Sequence, residues 1–192
     1  MITVYTVGHS NHPFDTLAQL LGRHAITAVA DVRSTPYSRR NPQYHRESLA
    51  GALKGRGIAY VYLGEELGAR SADPDCYREG RVQYERLAHT ALFKSGIARV
   101  LDGATRHRVA LMCAEKEPLD CHRTLLIARQ LQRRGAVLLH ILADGSLEAH
   151  DSTMNRLVNL LQLGDSDLFS TAEQRIEEAC RQHEGKIAFA AR

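Results

Sequence analysis

Short apolar runs alternate with amphipathic stretches along most of this chain. Residues 2–7 form a β-rich run that ends at Gly8-His9-Ser10. Pro13 suits the first turn of a helix, and Phe14, Leu17, Ala18, Leu20 and Leu21 continue an apolar face at helical spacing. Residues 27–32 read as a second, buried strand. A polar loop over 33–44 leads to a helix over 45–56, stopped by Gly57. Residues 58–63 read as a third strand, and 65–76, with Gly68 and Pro74, as loop. Helical spacing returns over 80–93 and 95–104. A fourth strand over 108–113 precedes a helix over 121–134, stopped by Gly135, and a fifth strand over 136–142. Asp144-Gly145 marks a tight turn. Helical stretches follow over 152–163 and 171–181.

Strands alternating with helices at this spacing predict parallel βαβ units around a central sheet. The nearly continuous Val/Ile/Leu/Ala strands suit a sheet covered on both faces. The fold class expected is α/β: three layers, with a mostly parallel sheet of about five strands flanked by helices. Residues 1–192 form a single domain in this reading, with a C-terminal helical appendage over about 165–192. Five strands are too few for a closed eight-stranded barrel.

In a parallel sheet every strand C-terminus lies on one edge, where ligands bind. The residues following each strand are chemically rich. Strand one delivers His9 and Ser10, strand two Asp31 and Arg33, and strand three Glu65 and Glu66. Strand four delivers Cys113 and the turn through Glu115 to Arg123, and strand five delivers Asp144. The turn Cys113-Ala-Glu-Lys-Glu-Pro-Leu-Asp-Cys-His-Arg123 holds the densest group. Asp120 is a plausible N-cap that places Cys121 at the first helical position. The helix N-terminus and Arg123 favour a thiolate there, and Asp120 opposes it. Cys121 is then reactive or metal-ligating, or else a buried, inert thiol. His122 is a candidate base, acid or ligand. Cys113 ends an apolar strand and suits the core as well as chemistry.

Composition narrows the setting. Hydrophobic residues make up 44% and charged residues 24% of 192 residues, and the net charge is only +3. Anion preference must therefore come from local clustering. Four cysteines in a chain this long do not suggest a disulfide framework. The opening residues lack a signal-peptide pattern and no apolar run reaches membrane-span length. A cytoplasmic protein with free thiols and no membrane partner is expected. Between Arg33 and Arg56 stand six Lys/Arg against one acid, Glu47, with Tyr37 and Tyr44 interleaved. That loop could hold phosphates and stack a base, or be a solvated surface. Ser38 lies within it.

Common signatures are missing. There is no GxGxxG after the first strand, no Walker loop and no CxxC. Cys113 and Arg123 are too far apart for a compact phosphatase-like loop. Cys113, Cys121, His122 and His9 could compose a metal site, although their spacing follows no standard pattern.

Several motifs do resemble one family. Thr6-Val-Gly-His-Ser10, Asp31-Val-Arg33 with Pro36 and Ser38, and Tyr62-Leu-Gly64 with Leu67-Gly68 are similar to the DUF488 family of small bacterial and archaeal proteins. So are Cys113-Ala-Glu115, Cys121-His-Arg123, and His140-Ile141 with Asp144-Gly145. Ala69 stands where a second glycine is common. The resemblance implies an α/β fold and a shared polar site at these positions, and it brings no particular reaction.

The clustering favours an enzyme. Its catalytic candidates are Cys121, His122, Glu115 and His9. Its candidates for binding substrate or anion are Ser10, Asp31, Arg33, Ser38 and Arg123. The substrate expected is an anionic small molecule or a nucleic acid. Two alternatives stand beside this: a nucleic-acid-binding or regulatory module that uses the 33–56 loop, and a metal-dependent Cys/His site. The sequence names no cofactor, metal or oligomeric state.

Overall fold

The computed structural model describes residues 1–164 and 170–191. The expected parallel strands form as β1 (Thr3–Gly8), β2 (Ala28–Asp31), β3 (Ala59–Tyr62), β6 (Val109–Cys113) and β7 (Val137–Ile141). The sheet order is β3-β2-β6-β1-β7-β8, so the strand count is six rather than five. The sixth strand, β8 (Leu147–Ala149), runs antiparallel to β7. Only three residues long, it carries too little pattern to read as a strand. The Asp144-Gly145 turn folds it back: Gly145 sits at φ 85, a region glycine tolerates.

Alternation along the strands assigns their side chains to two cores. Val4, Ala28, Ala30, Val109 and Leu111 face one side of the sheet. Tyr5, Val29, Ala110 and Met112 face the other. Helices α1 (Phe14–Arg23) and α2 (Arg46–Lys54) cover the second side with Leu17, Leu20, Leu21, Leu49 and Leu53. The first side is covered by α5 (Ala91–Ala104), by a π-helical segment (Arg123–Ala128) running into α6 (Arg129–Gln132), and by α7 (His150–Leu160) and α8 (Ala172–Ile187). The result is a three-layer α/β fold. The helices after β1 and β2 thus lie on one side and the helix after β6, which sits between them, on the other. Their loops diverge at the strand C-termini, and this divergence opens a crevice there.

Several segments differ from the sequence reading. Residues expected to begin a helix at 80 instead form a hairpin of β4 (Tyr77–Arg78) and β5 (Arg81–Val82). Glu79 and Gly80 both have positive φ, 51 and 72, as a tight hairpin turn needs. The chain's C-terminal stretch joins this hairpin: Val82 N–H donates to the Phe189 carbonyl and Ala191 N–H to Gly80. Helix α4 (Tyr84–His89) then ends at Thr90, which caps α5 by accepting from Phe93 N–H. Helix α3 (Gly64–Leu67) occupies the start of the stretch read as loop. In the region expected as an appendage, α8 contributes Ala179 and Cys180 to the first core. Residues 165–169 and 192 of that expectation lie outside the described residues. No helix among the described residues is long and apolar enough to cross a membrane.

Candidate functional site

The site forms where β2 and β6 end. Cys113 is the last residue of β6, and Ala114 and Glu115 continue the loop. This loop lies against the end of β1, where Gly8 leaves no room for a side chain. A Cβ at Gly8 would collide with the Glu115 carbonyl oxygen. His9 and Ser10 donate their backbone N–H groups to the carbonyls of Cys113 and Ala114. Below the loop, the fully buried Arg123 donates to the Glu115 carbonyl at 2.6 Å and the Lys116 carbonyl at 3.2 Å. Among the described residues it forms no ion pair with a carboxylate, and its Nε has no partner. Arg123 therefore fastens the loop from inside.

Cys121 does not occupy the first helical position behind an Asp120 cap. Asp120 lies in a 3-10 turn, and Cys121 has extended backbone, φ −137 and ψ 138. The Cys121 carbonyl accepts from Thr124 and Leu125, and its Sγ accepts from Arg123 N–H at 3.4 Å. Cys121 is thus itself in cap geometry, with sulfur in the place usually taken by a serine or aspartate oxygen. Pro118 favours the 3-10 turn that moves the helix start past Asp120.

Around this sulfur the chemistry is dense. Glu115 Oε2 lies 3.0 Å from Cys121 Sγ. His122 Nε2 is 3.1 Å from the Val32 carbonyl, an acceptor only, so Nε2 carries the proton. That bond turns His122 Nδ1 toward the two sulfurs, 3.8 Å from Cys113 Sγ and 3.8 Å from Cys121 Sγ. Cys113 Sγ, Cys121 Sγ and a nitrogen of His122 lie within 4.8 Å of one another.

Burial alone would raise the Cys121 thiol. The hydrogen bond with Cys113, the Arg123 guanidinium and His122 outweigh it and hold Cys121 well below the ordinary thiol value. Cys113 is pushed up by its hydrogen bond with Cys121, then by burial. Burial, then the neighbouring Cys121 charge, raise Glu115. At 3.0 Å two bare anions repel, which favours a proton between the buried Cys121 sulfur and the carboxyl of Glu115, a residue exposed on the loop.

The predicted residues at the β1 and β2 ends form a second, adjoining group. Asp31 is fully buried and accepts from Arg33 Nε at 2.9 Å, Arg33 Nη2 at 2.6 Å and the Tyr60 hydroxyl at 2.8 Å. Arg33 also donates to the Tyr44 carbonyl at 2.9 Å and to His9 Nε2 at 3.2 Å. His9 Nδ1 donates to the Ser10 carbonyl, and its ring stacks on Tyr44 at 4.0 Å. Burial, then the Arg33 charge, push His9 down to about 4, so it is neutral at pH 7. Ser10 adopts φ 51, a strained backbone for a residue other than glycine. Ser38 accepts from Asn41 N–H in the loop beyond.

Two clefts meet at Arg33, Thr35 and Ala114. The tighter, about 250 Å³, has Cys113, Glu115 and His122 on its floor and Ser34, Arg70, Tyr84 and Phe189 among its walls. The wider, about 780 Å³, is lined by His9, Ser10, Ser38 and Arg40 among others. Cys121 and Arg123 line neither. A groove between α4, α6 and α8 carries ion pairs of Arg129 and Arg133 with Glu177 and no such reactive group.

Sequence reasoning counted Cys113 only among possible metal ligands and left it out of the catalytic and anion-binding set, although its place at a strand C-terminus was the available signal. It also missed Arg70 and Phe189, which meet only through folding: the Arg70 guanidinium stands 4.5 Å from the centre of the Phe189 ring. Gly64 has a definable task here. A Cβ there would collide with the Arg33 carbonyl oxygen, so glycine lets α3 pack against the Arg33–Thr35 wall.

A three-layer α/β protein with a Cys/His cluster at the strand C-termini is what fold and site together define. Residues 13–130, more than half of the chain, match the family model described as "Domain of unknown function DUF488", and the chain belongs to that family. The matched stretch includes Asp31–Arg33, Tyr62–Gly64, Cys113–Glu115 and Cys121–Arg123. The Thr6–Ser10 and His140–Gly145 motifs lie outside it. No curated protein and no solved structure matches the chain.

Proposed function

We propose that this protein is an enzyme acting on a small anionic substrate in the tighter cleft. One observation carries the reading: two thiols, a carboxyl and an imidazole converge within hydrogen-bonding reach, and three of these residues floor a cleft. A merely structural group would not need to face a cleft. Glu115 is the acid–base candidate, because its carboxyl reaches both the sulfur cluster and the cleft. Arg70 supplies the accessible cation, held over Phe189. Arg33 is already engaged by Asp31, so it shapes the wall between the clefts and contributes little net charge.

The nucleic-acid reading has weaker support. Of the six cations in the 33–56 loop, Arg33 is buried, Arg56 pairs with Asp15, and Arg46 lies over Tyr62. That leaves too few free cations for a backbone-tracking groove.

A panel of phosphorylated and carboxylated small molecules, screened by thermal shift and for turnover, tests the enzyme reading. A binding anion is expected to lose about tenfold in affinity in Arg70→Ala, the cost of one exposed charge-assisted contact. Glu115→Gln is expected to bind it and turn it over at least about 100-fold more slowly. Binding of single-stranded oligonucleotides at low salt, with no small anion recognised, overturns the proposal.

A further inference from the structure

We propose that Cys113 Sγ, Cys121 Sγ and His122 Nδ1 form a binding site for a tetrahedral divalent metal ion of the zinc class. The proposal rests on the reading of this cluster as a reactive centre, and it assigns the cluster a cofactor.

The argument is geometric. With metal–sulfur bonds of about 2.3 Å, metal–nitrogen bonds of about 2.0 Å and tetrahedral angles, the sulfur–nitrogen edges are about 3.5 Å. Both such edges here measure 3.8 Å, from Nδ1 to each sulfur. All three donor atoms lie within 4.8 Å of one another, close enough for a small closure onto one ion.

The surroundings fit as well. A metal-binding histidine typically donates its other ring N–H to a carbonyl or carboxylate, which fixes the tautomer and aims the ligating nitrogen. The Val32 carbonyl does this for His122. Two sulfur donors and an imidazole suit a borderline-soft divalent cation and poorly suit magnesium or calcium. Each ligand sits on a firm element: Cys113 on the central strand β6, and Cys121 and His122 at the start of the π-helical segment.

Three protein donors leave a fourth position. Cys113 and His122 line the cleft while Cys121 lies behind them, so that position opens toward substrate, as in catalytic rather than structural zinc sites. Glu115 stands next to it. Its 3.0 Å approach to Cys121 Sγ is shorter than the sulfur–oxygen edge of about 3.6 Å in a tetrahedral shell, which places the carboxyl beside the ion.

The test uses the full chain without a histidine tag, stripped with a chelator and titrated with cobalt(II) chloride. One equivalent is expected to produce thiolate-to-cobalt charge-transfer absorption and the intense visible bands of tetrahedral cobalt. Zinc chloride should bleach both. Cys113→Ser and Cys121→Ser should each weaken cobalt binding by at least about 100-fold, whereas Cys76→Ser, which is not one of the three donors, should leave it unchanged. Stripped wild-type protein with native circular dichroism and no cobalt spectrum overturns the metal site, and so does an undiminished spectrum in Cys121→Ser. The anion panel is run on stripped and cobalt-loaded protein. Anion binding without metal uptake sinks the metal and keeps the enzyme. Metal uptake without any anion recognised does the reverse.

Discussion

At the residue scale, Arg123 governs the local architecture. A guanidinium at 0% exposure with no carboxylate partner among the described residues is a costly arrangement unless it is hydrogen-bonded. Here it bonds two loop carbonyls and its charge favours the Cys121 thiolate, although its Nε has no partner among the described residues. Arg123→Met keeps the volume but strands both carbonyls, and it is expected to cost about 3 kcal/mol of unfolding free energy. Urea unfolding monitored by circular dichroism measures this, and a loss below about 1 kcal/mol contradicts the fastening role. The residue types of the site could be read from the sequence, because cysteines, a histidine and an arginine crowd one turn after an apolar strand. Their individual roles could not. Nothing in Cys-His-Arg tells that the arginine points inward while the histidine reaches the Val32 carbonyl, 90 positions away.

At the element scale, the parallel strands were legible because buried β-runs are short, apolar and bounded by polar turns. Elements below about four residues were not, since β8 and the 77–82 hairpin are too short to show a period. The break between α4 and α5 was also hidden, because both helices share apolar spacing. Thr90 makes that break by accepting from Phe93 N–H while its hydroxyl donates to the Leu87 carbonyl. Thr90→Ala is expected to cost about 1 kcal/mol, seen as a lower urea midpoint with an unchanged slope. Thr90→Ser should recover most of it. Cys121 shows the same limit at a helix start: Asp120 is the better cap by residue type, yet the 3-10 turn after Pro118 delivers the sulfur instead.

At the scale of the whole molecule, a buried polar chain ties the sheet to α7. Thr6 Oγ1 lies 2.7 Å from His140 Nδ1, and His140 Nε2 lies 3.0 Å from His150 Nδ1. It joins β1 to β7 and α7, 134 positions further along the chain at His140. Burial, then the His150 charge, push His140 down to about 2, and burial pushes His150 down to about 4. Unfolded, both titrate near 6.5. Below that pH the unfolded chain takes up protons that the folded one refuses. Stability from this pair is complete above about pH 6.5 and falls as pH drops toward 4. Each histidine adds up to about 1.4 kcal/mol per pH unit to the slope. Urea midpoints at pH 7.5, 6.5, 5.5 and 4.5 should be flat over the first interval and fall over the next two, less steeply in His150→Gln. An equal slope in wild type and variant contradicts this account.

The sequence by itself determined the α/β class, the parallel strands, the edge on which polar residues gather and the family. These follow from local periodicity and from the rule that parallel strands share a direction. Tertiary structure decided the strand order, the meeting of Arg70 with Phe189 and the separation of the two clefts. It also decided which buried residues border the cleft and which lie beneath the site, as Cys113 and Arg123 show. Such outcomes depend on contacts between residues remote in sequence, where packing and the satisfaction of buried polar groups outweigh local preference.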